Sequence, residues 1–465
     1  MRRARGSCRG WRCVGRWAIL LGAASRLASA QPNPTPEPPS PTPAPSTPAP
    51  STPSPSTPSP SPQLTAGGWL QSDWVVFRER SLDEIDASTG EPLNEDRFLL
   101  RRARLRFDAR YSHALGRVEL DLNSVRGLEV RPFEVTAALG WSASGPLRRL
   151  TDDTELGVAR DEPPRELSVL GSIGLFRIPF GFDAREAPTR RPLLERTRVV
   201  RALLPGQRDF GLGFDAEYRV FRLSAALMNG SPIGDAGSRA VDFTARKDVV
   251  GRVGVDVGLG ARWRVQAGFS GLYGSGLHLG TAATKDELSW QDGNEDGLVE
   301  VSELGVVAGT PATPSRAFDH FALGADARLR VALPLLGELT LRAELIRAQN
   351  LDRAIEPADP VATGRNLREL GWLVGVAQEL TPLGQLAAQY ESYDPDADAR
   401  GERGAALVPR DSRYGTWSLS GSLRLPPLRV MAQYDHQHNA LGRGPNGEPA
   451  SLADDALTLR AELAF

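Results

Sequence analysis

From about residue 98 onward, polar and apolar positions along the chain alternate. In the clearest stretch, Arg102, Arg104, Arg106, Asp108 and Arg110 fall on one face, and Ala103, Leu105, Phe107, Ala109 and Tyr111 on the other. A period of two is that of a β-strand, whose successive side chains point to opposite sides. Arg117 to Leu122 repeats the pattern. It returns at Phe210 to Tyr218, Phe221 to Leu227, Gly251 to Val257, Trp263 to Tyr273 and Phe321 to Val331. It continues at Leu339 to Leu345, Trp372 to Val376, Trp417 to Leu425, Leu428 to Tyr434 and Leu457 to Phe465. Weaker alternation at 68–79, 128–141, 166–180 and 384–393 brings the expected number of strands to about sixteen.

The connections sharpen this into a fold. Short turns (Arg219-Val220, Leu333 to Gly337, Thr381 to Gly384, Pro426-Pro427) alternate with long ones at 80–96, 181–207, 275–317, 348–367, 394–411 and 439–452. Short connections on one rim and long ones on the other mark a transmembrane antiparallel β-barrel, and an even strand number puts both ends on one side. Two connections break the rule: 125–127 is short and 142–165 is long, so the count there is open by two strands. The longest apolar runs are too short for a transmembrane helix. A closed barrel crosses a membrane without one, because closure satisfies every backbone group. The soluble rival is a β-sandwich or propeller with its apolar stripe turned inward; no internal repeat suggests blades.

The first sixty residues are of another kind. Arg2, Arg3, Arg5, Arg9, Arg12 and Arg16 precede a short apolar core, Trp17 to Ala24, and Ala28-Ser29-Ala30 provides a small-residue cleavage site. Residues 1–30 therefore read as a signal peptide for export. Residues 31–63 are nearly all Pro, Ser, Thr and Ala, with Ser-Thr-Pro repeated from Ser46, Ser51 and Ser56. Such a linker has almost no apolar surface to bury and is expected to be disordered or polyproline II. At ~3.1 Å per residue it would reach roughly 100 Å, enough for a spacer or a tether to the cell wall. The barrel is expected over 64–465.

Composition then removes several chemistries. Both cysteines, Cys8 and Cys13, lie in the signal, so the rest of the chain has no thiol for disulfides, thiolate metal sites or nucleophilic catalysis. The formal net charge of −2 becomes −9 once the seven signal arginines are removed, which argues against nucleic acid as a partner. There is no Gly-x-Ser-x-Gly, phosphate loop or dinucleotide fingerprint, and the five histidines are scattered. No enzyme is expected.

The chain ends Leu457-Thr-Leu-Arg-Ala-Glu-Leu-Ala-Phe465, an alternating strand with a terminal aromatic. It resembles the signal read by the barrel-assembly machinery of the bacterial outer membrane. Segments around Phe98-Leu-Leu-Arg-Arg-Ala-Arg-Leu-Arg-Phe107, Gly174-Leu-Phe-Arg-Ile-Pro-Phe-Gly181, Leu194-Glu-Arg196, Pro205-Gly-Gln-Arg-Asp-Phe-Gly-Leu212, Met228-Asn-Gly230 and Lys247-Asp-Val-Val-Gly-Arg252 resemble the phosphate-selective porin O and P family. The resemblance implies a sixteen-stranded outer-membrane porin that assembles as a homotrimer, with a third external loop folded into the lumen. Here that loop is Phe182 to Gln207, with a short helix expected within Pro192 to Leu204.

An arginine on the lipid face costs ~2–4 kcal/mol near the midplane, so Arg102, Arg104, Arg106 and Arg110 are expected to face the lumen. Glu119 and Asp121 would face them and brace the wall. With Arg177 and the loop arginines Arg185, Arg190, Arg191, Arg196, Arg198 and Arg201, they form a candidate constriction for small anionic solutes of the phosphate type. The family's phosphate-selective members share lysine-rich pores. This chain has two lysines, Lys247 and Lys285, and Arg177 stands where the family motif has Lys.

Within 275–317, a long external loop, Asp292-Gly-Asn294-Glu-Asp296-Gly297-Leu298-Val-Glu300-Val-Ser-Glu303 fits the twelve-residue calcium-loop pattern. Asp292, Asn294, Asp296, the Leu298 carbonyl, Glu300 and the bidentate Glu303 would supply the oxygens Ca2+ needs, with Gly297 at the sharp turn. The alternative to a porin is a structural or adhesive barrel whose working parts are this loop and the tether.

Overall fold

The structure is a computed structural model and describes residues 61–79, 94–124, 127–143, 167–233, 246–403, 406–409, 412–439, 442–443, 449–452 and 454–465. The expected signal peptide, 1–30, and most of the expected linker, 31–63, lie outside the described residues. Sixteen antiparallel strands close into one barrel. They are β1 (Gln63–Phe77), β2 (Arg97–Tyr111), β3 (Ala114–Ser124), β4 (Gly127–Ser142), β5 (Leu167–Arg177) and β6 (Arg208–Tyr218). Then follow β7 (Phe221–Met228), β8 (Asp248–Leu259), β9 (Trp263–His278), β10 (Arg316–Leu333) and β11 (Gly337–Gln349). The last are β12 (Arg368–Glu379), β13 (Gly384–Asp394), β14 (Tyr414–Leu425), β15 (Leu428–His438) and β16 (Ala456–Ala464). Each alternating stretch of the sequence lies on one of them, in order, and the count stays at sixteen through 125–165. The barrel closes where β16 pairs β1, Trp69 opposite Ala464 and Phe77 opposite Ala456. The Phe465 backbone adds a reciprocal pair of hydrogen bonds with Gly68 at 2.9 and 3.0 Å.

The alternation resolves into two surfaces. Leu212, Phe269 and Leu419 on the outer face are 54, 52 and 61 % exposed. Exposed aromatics gather at its two rims: Trp74, Phe98, Phe210, Tyr273 and Trp417 near the long loops, and Tyr111, Trp141, Tyr218, Trp263 and Phe465 near the short turns. Trp263 and Tyr273 sit ten residues apart on β9. At ~3.3 Å per residue and a strand tilt of about 40°, they bound a band about 25 Å tall. The inner face carries the charges, buried against one another.

Two bulges alter the period where it matters. The β1–β2 register shifts between Gln71 (opposite Arg102) and Ser72 (opposite Leu100), leaving Arg101 as the extra residue. The β3–β4 register shifts between Glu119 (opposite Glu134) and Leu120 (opposite Pro132), leaving Phe133 extra. A bulge turns neighbouring side chains toward the same face. Arg101 and Arg102 consequently reach one acceptor, and Phe133 joins Glu134 on the inner side.

The third long connection, residues 178–207 (L3), folds into the barrel. Its helix, α1 (Arg198–Leu203), is shorter than the window expected from the sequence. Asp183 fixes the start: one carboxylate oxygen accepts from the Thr197 N–H at 2.9 Å and its hydroxyl at 2.8 Å. Val199, Val200, Leu203 and Leu204 of L3 form one buried cluster with Met228, Val250, Leu272, Ile346, Tyr393 and Tyr414 of the wall. Each such aliphatic side chain gains about 1.5–3 kcal/mol by leaving water. The wall makes room at Gly371, where a Cβ would lie 2.3 Å from Val199. The connection 350–367 (L6) braces L3 from above, through Arg353 N–H to the Ala202 carbonyl at 3.0 Å.

Candidate functional site

L3 is held across the lumen by ion pairs to strands far apart around the barrel. Glu195 accepts from Arg102 at 2.7 Å, Arg101 at 3.0 Å and Arg460 at 2.7 Å. Arg460 also grips Asp73 at 2.7 Å. Glu186 accepts from Arg342 at 3.0 Å and Arg328 at 3.4 Å. Arg429 donates to the Thr189 and Arg191 carbonyls at 2.9 and 2.8 Å. Burial pulls the Glu195 carboxyl upward, but Arg102, Arg101 and Arg460 together hold it well below the usual carboxylate range.

The wall arginines of β2 are paired. Arg104 binds Glu119 and Asp121, each at 3.2 Å, and Arg106 binds Glu119 at 2.8 Å. Beyond them Arg117 contacts Asp108 at 2.6 Å, and Arg208 contacts Glu134 at 3.0 Å. Phe133 lies between two guanidinium groups, 3.3 Å from Arg104 and 3.9 Å from Arg208 to the ring centre. Such stacking holds cations while leaving their edges available as donors. Arg110 lies apart, opposite Gln63 near the terminal rim.

The loop arginines divide. Arg196 is buried and donates to the carbonyls of Asp183, Ala184 and Glu186 at 2.7–3.0 Å, fastening L3 to itself. Burial foremost, then Arg191 and Arg177, pushes its pKa well below the ordinary arginine value. Arg191 is 1 % exposed, and its three guanidinium nitrogens have no hydrogen-bond partner among the described residues. Burial lowers its pKa to about 10, against the pull of Glu195, so it stays charged at neutral pH. Arg177 donates to the Arg185 carbonyl, and Arg185 reaches Ser224 at 3.3 Å. Arg190 and Arg201 are exposed. Arg198 lies 4.8 Å over the Tyr414 ring and donates to Gln437. Thus Arg102, Arg104, Arg106, Arg177, Arg191 and Arg196 surround the start and middle of L3, while Arg198 and Arg201 stand on its helix beside the acids of β13 and β15.

Sequence reasoning missed Arg208, Arg252, Arg328, Arg342, Arg429 and Arg460, which are all buried on the inner wall. Five of them stand at charged positions of alternating stretches, where the same period-two argument reaches them; Arg208 shares its parity with the outward Phe210 and Leu212, so periodicity does not reach it. Nothing local marks Glu186 and Glu195 as their partners, because the ion pairs join residues up to 265 positions apart.

Residues 279–315 (L5) stand outside as a ribbon. Thr281 and Thr313 bond at 2.9 Å and Thr284 and Thr310 at 3.1 Å, and Glu287–Trp290 pairs with Leu304–Val307. The twelve-residue loop caps it. Glu295 and Gly297, its fourth and sixth positions, have φ of 58° and 75°. The Gly297 N–H donates to Asp292 at 2.8 Å, and Glu303 accepts from Gly293 N–H at 3.0 Å and from the Trp290 indole at 2.9 Å. That indole bond, foremost, holds the Glu303 pKa low. The other Asp292 oxygen, Oδ1, is shielded and without a donor among the described residues. Among the described residues, no three His, Cys, Asp or Glu side chains converge as a metal-binding group.

No family model matches the sequence, and no curated protein matches it. Among solved structures, the chain is similar to the trimer form of the in-vitro folded outer-membrane protein OmpT of Vibrio cholerae, with 12% identity and a TM-score of 0.49 over 87% of this chain and 100% of that one. It is similar also to an anion-selective porin from Comamonas acidovorans (10%, TM-score 0.48, 87% and 100%). The outer-membrane channel DcaP of Acinetobacter baumannii gives 10% identity and a TM-score of 0.46 over 87% and 97%.

Proposed function

We propose that this chain is a bacterial outer-membrane porin that lets small anionic solutes diffuse through a constriction built by L3. The observation that carries the reading is a loop tied across the interior of a closed barrel. A barrel used only as an anchor has no need of such a loop, whereas a diffusion channel needs one to set its bore. The aromatic rims and the apolar band between them support the membrane setting. Anion preference follows from charge. L3 contributes six arginines (185, 190, 191, 196, 198 and 201) against Asp183, Glu186 and Glu195, and Glu186 and Glu195 face wall arginines. The exposed Arg190 and Arg201 and the half-exposed Arg185 and Arg198 offer donors to a passing anion, phosphate included.

Reconstitution into planar bilayers tests this. Discrete channels with a reversal potential favouring anions in a salt gradient are expected. Wild-type protein that inserts without conducting overturns the porin reading, and cation selectivity overturns the anion preference. The same reading takes lipid and the barrel-assembly machinery, which would read the closing strand, as partners, a homotrimer as the assembly and the Pro-rich linker as a cell-wall contact.

A specific observation favours a separate role for the tip of L5. Its fourth and sixth residues already hold left-handed conformations, and the shielded Asp292 Oδ1 has no donor among the described residues. We propose that Asp292, Asn294, Asp296, Leu298, Glu300 and Glu303 take a calcium ion there, once the carboxylates now held by backbone N–H groups turn toward it.

A further inference from the structure

On the side of L3 nearer the chain ends, a half-open cavity of about 310 Å³ lies between L3 and strands β1 and β2. Its charged lining includes Arg104, Arg106 and Arg177, with Asp108 and Glu119. Both acids already accept from arginines: Glu119 from Arg104 and Arg106, and Asp108 from Arg117. Its floor is Trp69, only 8 % exposed, whose ring lies 5.3 Å from the Arg104 guanidinium and 6.0 Å from that of Arg106. The Trp69 indole N–H is buried and has no acceptor among the described residues. A buried donor left unmade is destabilising, so a ligand that supplies an acceptor recovers that loss. The remaining lining holds two hydroxyls, Thr65 and Thr189, beside an apolar side of Ala66, Ala187 and Pro188.

We propose that this cavity is a docking site for an organic carboxylate with a compact apolar body, rather than for inorganic phosphate. This rests on the porin reading and specifies a solute class for it. The carboxylate would accept from the Trp69 indole N–H beside the guanidinium groups, and its carbon body would lie against Ala187 and Pro188. Phosphate presents acceptors on every side, and the apolar wall would leave several of them unmet. The volume sits at the lower end of the ~300–1,000 Å³ span of small-molecule pockets and exceeds what one phosphate fills.

The test is block of the chloride current through single reconstituted channels by benzoate and by phosphate, each read relative to that channel's own open current. Saturable block by benzoate at concentrations well below those for phosphate is expected. Trp69→Phe, which keeps the ring and removes the donor, is expected to raise the half-blocking benzoate concentration about tenfold. Equal block by the two anions, or a Trp69→Phe channel blocked like wild type, overturns the assignment. Open anion channels indifferent to benzoate overturn it while leaving the porin reading intact. Absence of channels from inserted wild-type protein overturns both.

Discussion

L3 and L5 leave the same rim and are of similar length, yet one folds into the barrel and the other stands clear of it. The difference lies in what each can bury. L3 offers an unbroken apolar face, Val199 to Leu204, and two carboxylates spaced to meet opposite walls. L5 pairs threonine with threonine, and its acids bond their own backbone. Its apolar side chains, Leu288, Val301 and Val306 among them, lie exposed on the ribbon rather than against the wall. A loop enters a barrel when its apolar face and its charges both find partners there; length alone does not decide it.

The most forceful way to break this contrast is to remove an anchor of L3. Arg460→Ala leaves Asp73 and Glu195 buried with one cation fewer, and uncompensated buried charge costs about 3–5 kcal/mol. A lower unfolding temperature in detergent, with larger and noisier single-channel current, is expected. A current like wild type would show that L3 does not set the bore. Leu203→Ala removes a wholly buried side chain from the loop's apolar face and is expected to cost about 2–4 kcal/mol by denaturant unfolding.

Acid acts on the same anchor. The Glu195 carboxyl is held well below its ordinary value, so its contribution is fully present above the unfolded pKa of about 4.3. It fades as pH falls below that value toward the depressed one. Channel noise is therefore expected to rise as pH drops below about 4. Glu195→Gln is expected to show such noise already at neutral pH, with little further change on acidification.

The smallest effect on the barrel is expected from L5. Asp292→Ala leaves unfolding and conductance as in wild type and abolishes a calcium-dependent protection of residues 279–315 from protease. A wild-type loop cut equally fast with and without calcium refutes the ion site.

Much of this was legible in residue order. Sixteen alternating stretches, even the weak ones at 68–79 and 384–393, became sixteen strands, because a wall with an apolar outer face and a charged inner face repeats every two residues. The entry of L3 follows from the family likeness, while the helix expected within Pro192 to Leu204 from its residues spans Arg198–Leu203, with Asp183 holding Thr197 just before it. The bulges at Arg101 and Phe133 left no local signature; each depends on the register of the neighbouring strand.

The sequence by itself determined the barrel, its strand order and which face carries charge, since those follow from local periodicity and connection length. Only the tertiary structure decided which arginines brace and which meet solvent. Arg196 and Arg201 differ by five positions, yet one is spent on three carbonyls of its own loop and the other is exposed. The role of a charge depends on the partner opposite it, and in a closed barrel that partner is brought there by closure rather than by proximity along the chain.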